Sequence, residues 1–372
     1  MSFTSHATMR MDQRGVNDHR LRSRRSPVRN RDYGPARCTT SVIALLPVTD
    51  TGVAAGASGK LHVSHAPAGR RPEEVMKTLL IGATGLLGSE ICQRLTASGH
   101  QVRALIRPTA DATKRAALVG LGAECVEGDL KDAASLARAC AGVQAVISTA
   151  SSTLSRQEGD SIETVDQQGQ LTLVEAARRA GVDRFVFVSF RENPDIQFPL
   201  TVAKRAVERA LKSSGMAYTI LQASYFMEVW LTPALGFDAA NGSVRVYGDG
   251  SRPISWISYR DVARAAAAAV TEGTARNMVV EFGGPEALSP REVVRMFEAA
   301  GAGEIAIESV PEAALEAQMK EATDSLQKSF AGLMLQCAAG DAIDTTTGSQ
   351  LFPFQMTAVR DFVTAQLAAA RG

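Results

Sequence analysis

The 372-residue sequence has few of the features that mark membrane, disulfide-rich or metal-binding proteins. No run of about 18 apolar residues occurs, so the sequence predicts no membrane span. The five cysteines are scattered without a CxxC pair, and the five histidines form no cluster. An odd and dispersed set of cysteines favours reduced thiols, a cytoplasmic location and no structural metal.

Charge is also modest, with 21% charged residues and a net charge of +1. A hydrophobic content of 45% is typical of a globular protein with one large domain or two smaller ones. Residues 1–75 hold 12 Lys or Arg against 6 Asp or Glu, whereas residues 76–372 hold 28 against 33. The longer region lacks the clustered basic charge that nucleic acid requires, so no nucleic-acid partner is expected for it.

Residues 1–75 lack the helical or strand periodicity of the remaining chain. Three interpretations stay open: an organelle transit segment, a partner- or nucleic-acid-binding tail, and an extension without a role in the functional protein. The acidic Asp12, Asp18 and Asp32 weaken the first, and the lack of interleaved aromatic residues weakens the second. We predict a disordered or non-functional extension, and expect a chain that begins at Met76 to fold.

From Lys77 onward, short apolar runs alternate with helical segments of about 10–20 residues, the pattern of a parallel sheet covered by helices on both faces. Most of these helical segments end in glycine, the residue favoured after a helix C-terminus. The predicted strands are KTLLIG, QVRALIR, AECVEG, AVISTA, RFVFVSF and AYTILQ. The sequence therefore predicts an α/β fold, with a Rossmann-type doubly wound parallel sheet over residues 76–222.

Past Gln222 the alternation becomes less regular. SVRVYG and PISWIS have the pattern of strands, and YRDVARAAAAAVTEG and SPREVVRMFEAAG have the pattern of helices. Ser289, Pro290 and Glu292 form a predicted capping box with proline at the first helical position. Ligands of such sheets bind at the carboxyl ends of the strands. Residues 223–372 are therefore predicted to form a smaller substrate-binding or lid region, partly interleaved with the sheet.

A glycine-rich turn, Gly82-Ala-Thr-Gly85-Leu-Leu-Gly88, joins the first predicted strand to the first helix. Gly82 suits a tight turn, Gly85 lets a pyrophosphate approach the backbone, and Gly88 allows the helix and strand to pack closely. The helix N-terminus offers amide donors and a partial positive charge to the phosphates. The turn predicts a dinucleotide site; the alternative is a purely structural turn.

The end of the second predicted strand indicates which dinucleotide binds. Enzymes that use NAD commonly place Asp or Glu there, but here the residue is Arg107. A guanidinium group suits the 2′-phosphate of NADP(H), which is the predicted cofactor; the alternative is a solvated arginine. Asp129, followed by Leu130, ends the third strand and is predicted either to accept from the adenine amino group or to cap a turn.

Five segments of the chain together resemble the NmrA-like family of atypical short-chain dehydrogenases/reductases, which includes isoflavone reductase-like enzymes. The segments are GATGLLGSE, VRALIRP, EGDLKD, AARRAGVDRFVFVSF and AYTILQASYFMEVWL. The resemblance runs from Lys77 to about Val270, continues more loosely to the end, and does not cover residues 1–75. It implies an NADP(H)-binding Rossmann domain with a small C-terminal substrate region.

The resemblance also implies particular cofactor contacts, each assigned by motif. The implied contacts are Gly82, Thr84, Gly85, Leu86, Leu87 and Gly88 at the pyrophosphate, Arg107 at the 2′-phosphate, Asp129 and Leu130 at the adenine, Thr149 beside the cofactor, and Tyr225 and Phe226 at the nicotinamide.

The catalytic residues of short-chain dehydrogenases are only partly present. These enzymes use a Tyr-x-x-x-Lys pair on a helix, and here Lys204 matches the lysine but Leu200 stands in the tyrosine position. Isoflavone reductase-like members also lack that tyrosine and rely on the lysine. Gln222 and Ala223 replace the usual Arg-Pro of the family, and Val229 replaces its usual Asn, which alters the expected surroundings of the nicotinamide.

Helix geometry gives a separate expectation for Lys204. The apolar stripe of its helix consists of Val202, Ala203, Ala206, Val207, Ala210 and Leu211. At about 100° per residue, Lys204 lies roughly 110° from the centre of that stripe, at the margin of the predicted buried face. Arg205, Glu208 and Lys212 are predicted on the solvated side. Lys204 is therefore expected either to reach the cofactor ribose or to extend its ammonium group to water.

Two functions of different class follow from these features. The first is an NADPH-dependent reductase that transfers hydride to a small organic carbonyl or conjugated double bond, with Lys204 as proton donor or ribose anchor. The second is a non-catalytic NADP(H)-binding protein, either a redox-sensing regulator or an assembly factor. The missing tyrosine favours the second, whereas the apolar segment SYFMEVWLTPALGF, suited to a small-molecule pocket, favours the first.

Overall fold

The computed structural model describes residues 75–154 and 156–371, which form ten strands and twelve α-helices. The predicted extension, residues 1–75, lies outside the described residues except for Val75. In chain order the strands are β1 (Lys77–Ile81), β2 (Gln101–Ile106), β3 (Glu124–Glu127), β4 (Ala145–Ser148), β5 (Arg184–Ser189), β6 (Ala217–Ala223), β7 (Phe237–Asp238), β8 (Ser243–Tyr247), β9 (Met278–Phe282) and β10 (Ala306–Val310). The helices are α1 (Leu86–Ala97), α2 (Ala112–Gly120), α3 (Ala133–Cys140), α4 (Gln170–Arg179), α5 (Pro199–Ser213), α6 (Met227–Trp230), α7 (Tyr259–Thr271), α8 (Pro290–Phe297), α9 (Glu312–Glu321), α10 (Ser325–Ala339), α11 (Thr346–Leu351) and α12 (Val359–Arg371).

Seven of the strands form one sheet in the order β3-β2-β1-β4-β5-β6-β9, and every neighbouring pair is parallel. Leu79 in the central strand β1 is aligned with Arg103 of β2 on one side and Val146 of β4 on the other. The chain reverses direction across the sheet between β1 and β4, which creates a crevice at the carboxyl ends of these two strands. The predicted Rossmann-type doubly wound sheet is confirmed.

Alternation along the strands divides the apolar core between the two faces of the sheet. Leu80 belongs to a cluster that includes residues of α1, α2 and α7, such as Ile91 and Val262. Its neighbour Leu79 belongs to a cluster on the opposite face that includes residues of α3, α4 and α5, such as Val207. Because both faces are covered, the inner strands are almost continuously apolar rather than alternating.

A second, three-stranded sheet lies in the C-terminal region, with the order β10-β8-β7. Strand β8 pairs in parallel with β10 and antiparallel with β7. Its core includes Trp256, Val244 and Phe297. The later region also contributes β9 to the main sheet and α7 to the layer against α1. The division at residues 222 and 223 stays a prediction.

Most predicted elements of the main sheet agree with the structure, and the differences lie mainly in the later region. All six predicted strands of residues 76–222 are present, and the capping box of α8 forms as predicted, with Ser289 and Glu292 bonding to each other's backbone. The strand predicted at PISWIS is wrong, because Ile254 makes only isolated bridges, to Leu288 and to Asp341. Between β4 and α4 the chain forms a π-helical segment, Ile162–Gly169, that leads directly into α4.

In the part of the chain that the structure describes, no helix is both long enough and apolar enough to cross a membrane.

Candidate functional site

The glycine-rich turn between β1 and α1 is too tightly packed for larger residues at two of its three glycines. Gly82 has a φ of +85°, and a Cβ atom there would lie 2.6 Å from the Thr149 hydroxyl oxygen. A Cβ atom at Gly88 would lie 2.1 Å from the carbonyl oxygen of Gly82. Gly85 differs, because its nearest neighbour would be 3.4 Å away and the residue is exposed. The turn therefore packs closely at both ends and is open at its middle glycine.

The first turn of α1 has backbone amides available at this open point. Gly85 is the N-cap of α1 and supplies no side-chain hydrogen bond to the first turn. Leu86 is 54% exposed, whereas Leu87 is buried in the core. Uncapped amides at a helix N-terminus attract phosphate, because they carry unsatisfied donors and a partial positive charge. These residues and Thr84 are placed as a pyrophosphate site requires, and the contact itself stays a prediction.

Thr149 links the two strands at which the sheet order reverses. Its backbone N–H and its hydroxyl group both donate to the Ile81 carbonyl oxygen, each at 3.1 Å. This bonding holds the end of β4 against the end of β1, directly beside Gly82. The predicted position of Thr149 beside the cofactor is consistent with this placement.

Arg107, one residue beyond β2, is bound to a carboxylate that the sequence analysis did not single out. Its Nη1 atom lies 2.6 Å from Oδ2 of Asp160, and Lys131 donates to the other oxygen of the same carboxylate. The Arg107 side chain is 27% exposed, and that of Asp160 only 1%. Arg107 is therefore paired and only partly solvated, and its contact with a 2′-phosphate stays a prediction. No local pattern could have found this pair, because 53 residues separate its members.

Asp129 adopts the turn-capping arrangement that the sequence left as an alternative. Its Oδ1 atom accepts from the backbone N–H of Lys131 at 2.8 Å, and its own N–H donates to the hydroxyl of Ser135 at 3.1 Å. Leu130 is buried, and a Cβ atom at Gly169 would lie 2.9 Å from its Cβ. Both residues help to shape the loop after β3, and their contact with adenine stays a prediction.

Lys204 lies within the buried face of α5 rather than at its margin. The residue is 6% exposed, its Nζ donates to the Val188 carbonyl oxygen at 3.2 Å, and Nζ lies 4.7 Å from the centre of the Phe187 ring. Burial lowers the pKa of Lys204, against the opposing effect of the Asp166 and Glu208 carboxylates. The alternative in which this lysine extends to water is wrong.

The buried face of α5 is rotated about the helix axis relative to the predicted apolar stripe, because the prediction assumed that polar residues face solvent. The residues that are buried are Leu200, Thr201, Ala203, Lys204, Val207, Glu208 and Leu211. Val202, placed on the apolar stripe, is instead 50% exposed. Polar side chains are buried where partners satisfy them, and a hydrophobicity pattern cannot show such partners.

Glu208 is a buried polar residue whose partners are present in the structure. Its carboxylate accepts from the side-chain amide of Gln222 at 3.1 and 3.2 Å, and from Arg205 at 2.6 Å. The solvated positions predicted for Arg205 and Glu208 are therefore wrong. Gln222, which departs from the usual residue of the family, is held in the core by this bond.

Asp166 is a second buried carboxylate near Lys204 that the sequence analysis did not single out. It lies in the π-helical segment and is fully buried. Its Oδ2 atom accepts from the hydroxyl and the backbone N–H of Ser152, at 2.6 and 3.0 Å. Its Oδ1 atom is buried and has no hydrogen-bond partner among the described residues. A carboxylate with one unused oxygen is thus placed near a buried ammonium group.

The two residues predicted to contact the nicotinamide lie in different clusters. Tyr225 packs edge-on against Trp230, with the ring centres 4.7 Å apart, and its hydroxyl donates to the Leu333 carbonyl oxygen. Phe226 instead packs against the large cluster shared by α1, α2 and α7, and it forms an isolated bridge with Ile257. Contact with a nicotinamide stays a prediction for both.

Two surface grooves lie away from this crevice. One, of about 450 Å³, runs between α3 and α4 and is lined by Ala137, Ala176 and their neighbours. The other, of about 580 Å³, includes Gln144 and Asp183 at the amino ends of the strands. Ligands of parallel sheets bind at the opposite end, and neither groove includes a residue of the glycine-rich turn.

The strand order, the glycine-rich turn and the buried lysine of α5 together define a dinucleotide-binding protein of the short-chain dehydrogenase/reductase type. The model of the NmrA-like family matches residues 75–363, and the chain belongs to that family. The family predicted from the sequence is confirmed.

Its relatives include proteins of two functional kinds. The photosystem II assembly factor Ycf39 of Synechocystis sp. is 31% identical over 247 residues, covering 64% of this chain and 72% of that protein. The (4-alkanoyl-5-oxo-2,5-dihydrofuran-3-yl)methyl phosphate reductase of Streptomyces griseus subsp. griseus is 34% identical over 216 residues, covering 58% of this chain and 70% of that protein. The predicted alternatives, a reductase and an assembly factor, therefore both occur among the relatives.

A solved structure shares the fold. The NADPH-dependent quinone oxidoreductase QOR2 of Escherichia coli, complexed with NADPH, has a TM-score of 0.64 at 23% identity, covering 78% of this chain and 99% of that one. That protein was crystallised with the cofactor that the sequence predicts for this chain.

Proposed function

We propose that this protein binds NADP(H) and acts as an NADPH-dependent reductase on a small molecule with a carbonyl group or a conjugated double bond. The observation that carries the proposal is the burial of Lys204 on α5, with its ammonium group 3.2 Å from the Val188 carbonyl oxygen. A cytoplasmic location belongs to the same proposal.

The residues present fit the cofactor. Gly82 and Gly88 leave no room for a side chain, while Gly85 is open beside the uncapped amides of α1, which would hold the pyrophosphate. Arg107, after β2, would bind the 2′-phosphate. When bound, NADPH supplies the hydride.

Lys204 would hold the nicotinamide ribose or donate a proton to the substrate oxygen. Leu200, four residues earlier, is buried and offers no hydroxyl group in the position of the usual tyrosine. An ordinary lysine, with a pKa of about 10.4, is a weak acid at neutral pH. Because burial lowers the pKa of Lys204, its ammonium group gives up a proton more readily than an exposed one. The nearby Asp166 would keep the side chain oriented and limit this shift.

The experiment is a screen of the purified protein for NADPH oxidation with quinones, enones and aldehydes, followed by Lys204→Met on any substrate found. The substitution keeps most of the apolar stem and removes the charge, so turnover should fall by about 10²–10⁴, the usual contribution of a positioned acid or base. Lys212→Met is the matched control, because Lys212 is exposed on the same helix. Unchanged turnover in Lys204→Met would exclude the assigned role.

The second candidate function is a non-catalytic NADP(H)-binding assembly factor or redox-sensing regulator. It is favoured by the replacement of the usual tyrosine by Leu200 and by the similarity to an assembly factor. Under this alternative, calorimetry should show NADPH binding while a broad substrate panel shows no oxidation. Lys204→Met would then at most weaken binding of the cofactor.

A further inference from the structure

Two cationic side chains from neighbouring strand ends converge on one buried carboxylate. Arg107 follows β2, Lys131 follows β3, and Asp160 belongs to the loop between β4 and the π-helical segment. Oδ2 of Asp160 lies 2.6 Å from Arg107 Nη1, and Oδ1 accepts from Lys131 Nζ. Oδ2 also accepts from the backbone N–H of Gln157 at 2.9 Å. The three donors come from three separate segments of the chain.

The surroundings of Asp160 keep it ionised in spite of its burial. Burial raises the pKa of this carboxyl, but the bonds from Lys131, the Gln157 amide and Arg107 outweigh it and hold the pKa below its ordinary value. Asp129 adds a second carboxylate near Lys131, at 3.4 Å, but it is more exposed. Asp160 is therefore the anion that these two cations share.

The same donors match a phosphate monoester. A guanidinium group, an ammonium group and a backbone amide are the groups that proteins use to bind phosphate oxygens. In a sheet of this order, the residue after the second strand lies beside the adenosine ribose of a bound dinucleotide, where NADP(H) carries its 2′-phosphate. A carboxylate bound by these donors resembles that phosphate in its negative charge and in the groups that bind it.

Resting on the cofactor assigned under the proposed function, we propose that Asp160 occupies the 2′-phosphate position when no cofactor is bound, and that Lys131 joins Arg107 in binding the 2′-phosphate. Binding of NADP(H) then requires the carboxylate to leave its two cations. NAD(H) carries a hydroxyl group at this position and has no such competitor to displace. Asp160 thus lowers the preference for NADP(H) that Arg107 and Lys131 create.

The test compares 2′,5′-ADP with 5′-AMP, two ligands that differ only in the 2′-phosphate. Isothermal titration calorimetry measures both on wild type and on Asp160→Asn, which keeps the size of the side chain and removes its charge. Loss of a competing charge next to two cations should tighten 2′,5′-ADP by about 10-fold and change 5′-AMP by less than about 2-fold. Glu127→Gln is the matched control, because its carboxylate pairs with Arg115 at the end of β3 and touches neither Arg107 nor Lys131 in the described contacts.

A second variant separates the role of Lys131 from any effect on folding. Lys131→Met should weaken 2′,5′-ADP by about 10-fold, both alone and combined with Asp160→Asn, and leave 5′-AMP unchanged. A thermal melt of each variant verifies that the fold is intact. Unchanged or weaker binding of 2′,5′-ADP by Asp160→Asn, with a normal melt, would overturn the inference. Equal effects of Lys131→Met on both ligands would overturn the role of Lys131.

These titrations do not depend on turnover, because neither ligand carries a nicotinamide. If the protein oxidises no substrate but its variants show the expected changes in 2′,5′-ADP affinity, the result contradicts the proposed reductase activity and supports the role of Asp160. The inference is overturned if neither the wild type nor Asp160→Asn binds 2′,5′-ADP more tightly than 5′-AMP. The reductase activity is then judged separately, by the NADPH oxidation screen.

Discussion

The two ends of the candidate cofactor site hold their charges in opposite ways. At the adenosine end, Arg107 and Lys131 are partly exposed and both bind Asp160. At the nicotinamide end, Lys204 and Asp166 are buried, Nζ binds a backbone carbonyl, and one oxygen of Asp166 has no hydrogen-bond partner among the described residues. Accessible, fully paired charges suit the binding of a charged ligand. A buried and incompletely paired set suits proton transfer, because burial lowers the pKa of Lys204.

The glycine-rich turn lies between these two ends, so a substitution that disrupts its packing should disturb both ends and have the largest effect. In Gly88→Ala the new Cβ would lie 2.1 Å from the Gly82 carbonyl oxygen, so helix and strand must separate. Overpacking of this kind costs about 3 kcal/mol of the free energy of unfolding. Chemical denaturation measures the loss.

Gly85→Ala is the matched variant, because its Cβ would have no neighbour closer than 3.4 Å. Its stability should change by less than about 1 kcal/mol, while NADPH binding weakens because the methyl group blocks the approach of the phosphates. Equal losses of stability in the two variants would contradict the packing described for Gly88.

A change at the adenosine end should affect cofactor choice without affecting the chemical step. Arg107→Ala should weaken NADPH by about 1.5–3 kcal/mol, the scale of a charge-assisted hydrogen bond, and leave NADH nearly unchanged. Fluorescence titration with both cofactors measures the difference. Parallel losses for NADPH and NADH would show that Arg107 supports the loop but does not read the 2′-phosphate.

A change at the nicotinamide end should instead affect the pH dependence of turnover. Besides Asp166, the charged side chains that act on Lys204 are Glu208, which raises its pKa, and Arg205, which lowers it. Asp166→Asn removes a charge that raises the pKa of Lys204, so that pKa should fall further below its ordinary value. If protonated Lys204 is the acid, the alkaline fall of kcat should move to lower pH.

The measurement is the pH profile of kcat at saturating NADPH, with Asp183→Asn, an exposed change just before β5, as the control. A lower kcat with an unmoved pH profile would mean that Asp166 only supports the fold.

Much of the main sheet could be predicted because its signals are local. Alternating apolar runs and helical segments located all six strands of residues 76–222, and the glycine-rich turn was predicted from residues that are close in sequence. The later region was less predictable. Strand β9 joins β6 across more than fifty residues, and the PISWIS segment makes isolated bridges to Phe226, Leu288 and Asp341. Such pairings depend on the surrounding structure and produce no periodic pattern of apolar residues in the sequence.

The sequence by itself determined the Rossmann order of elements, the glycine-rich turn before α1 and the presence of an arginine after β2, because each depends on neighbouring residues. Only the tertiary structure decided that Arg107 and Lys131 share Asp160, that Lys204 is buried near Asp166, and that Glu208 is buried with Gln222. The physical reason is the same in each case. A charged side chain is buried only where a partner compensates its lost hydration, and these partners lie 14 to 53 residues away in sequence or in separate elements.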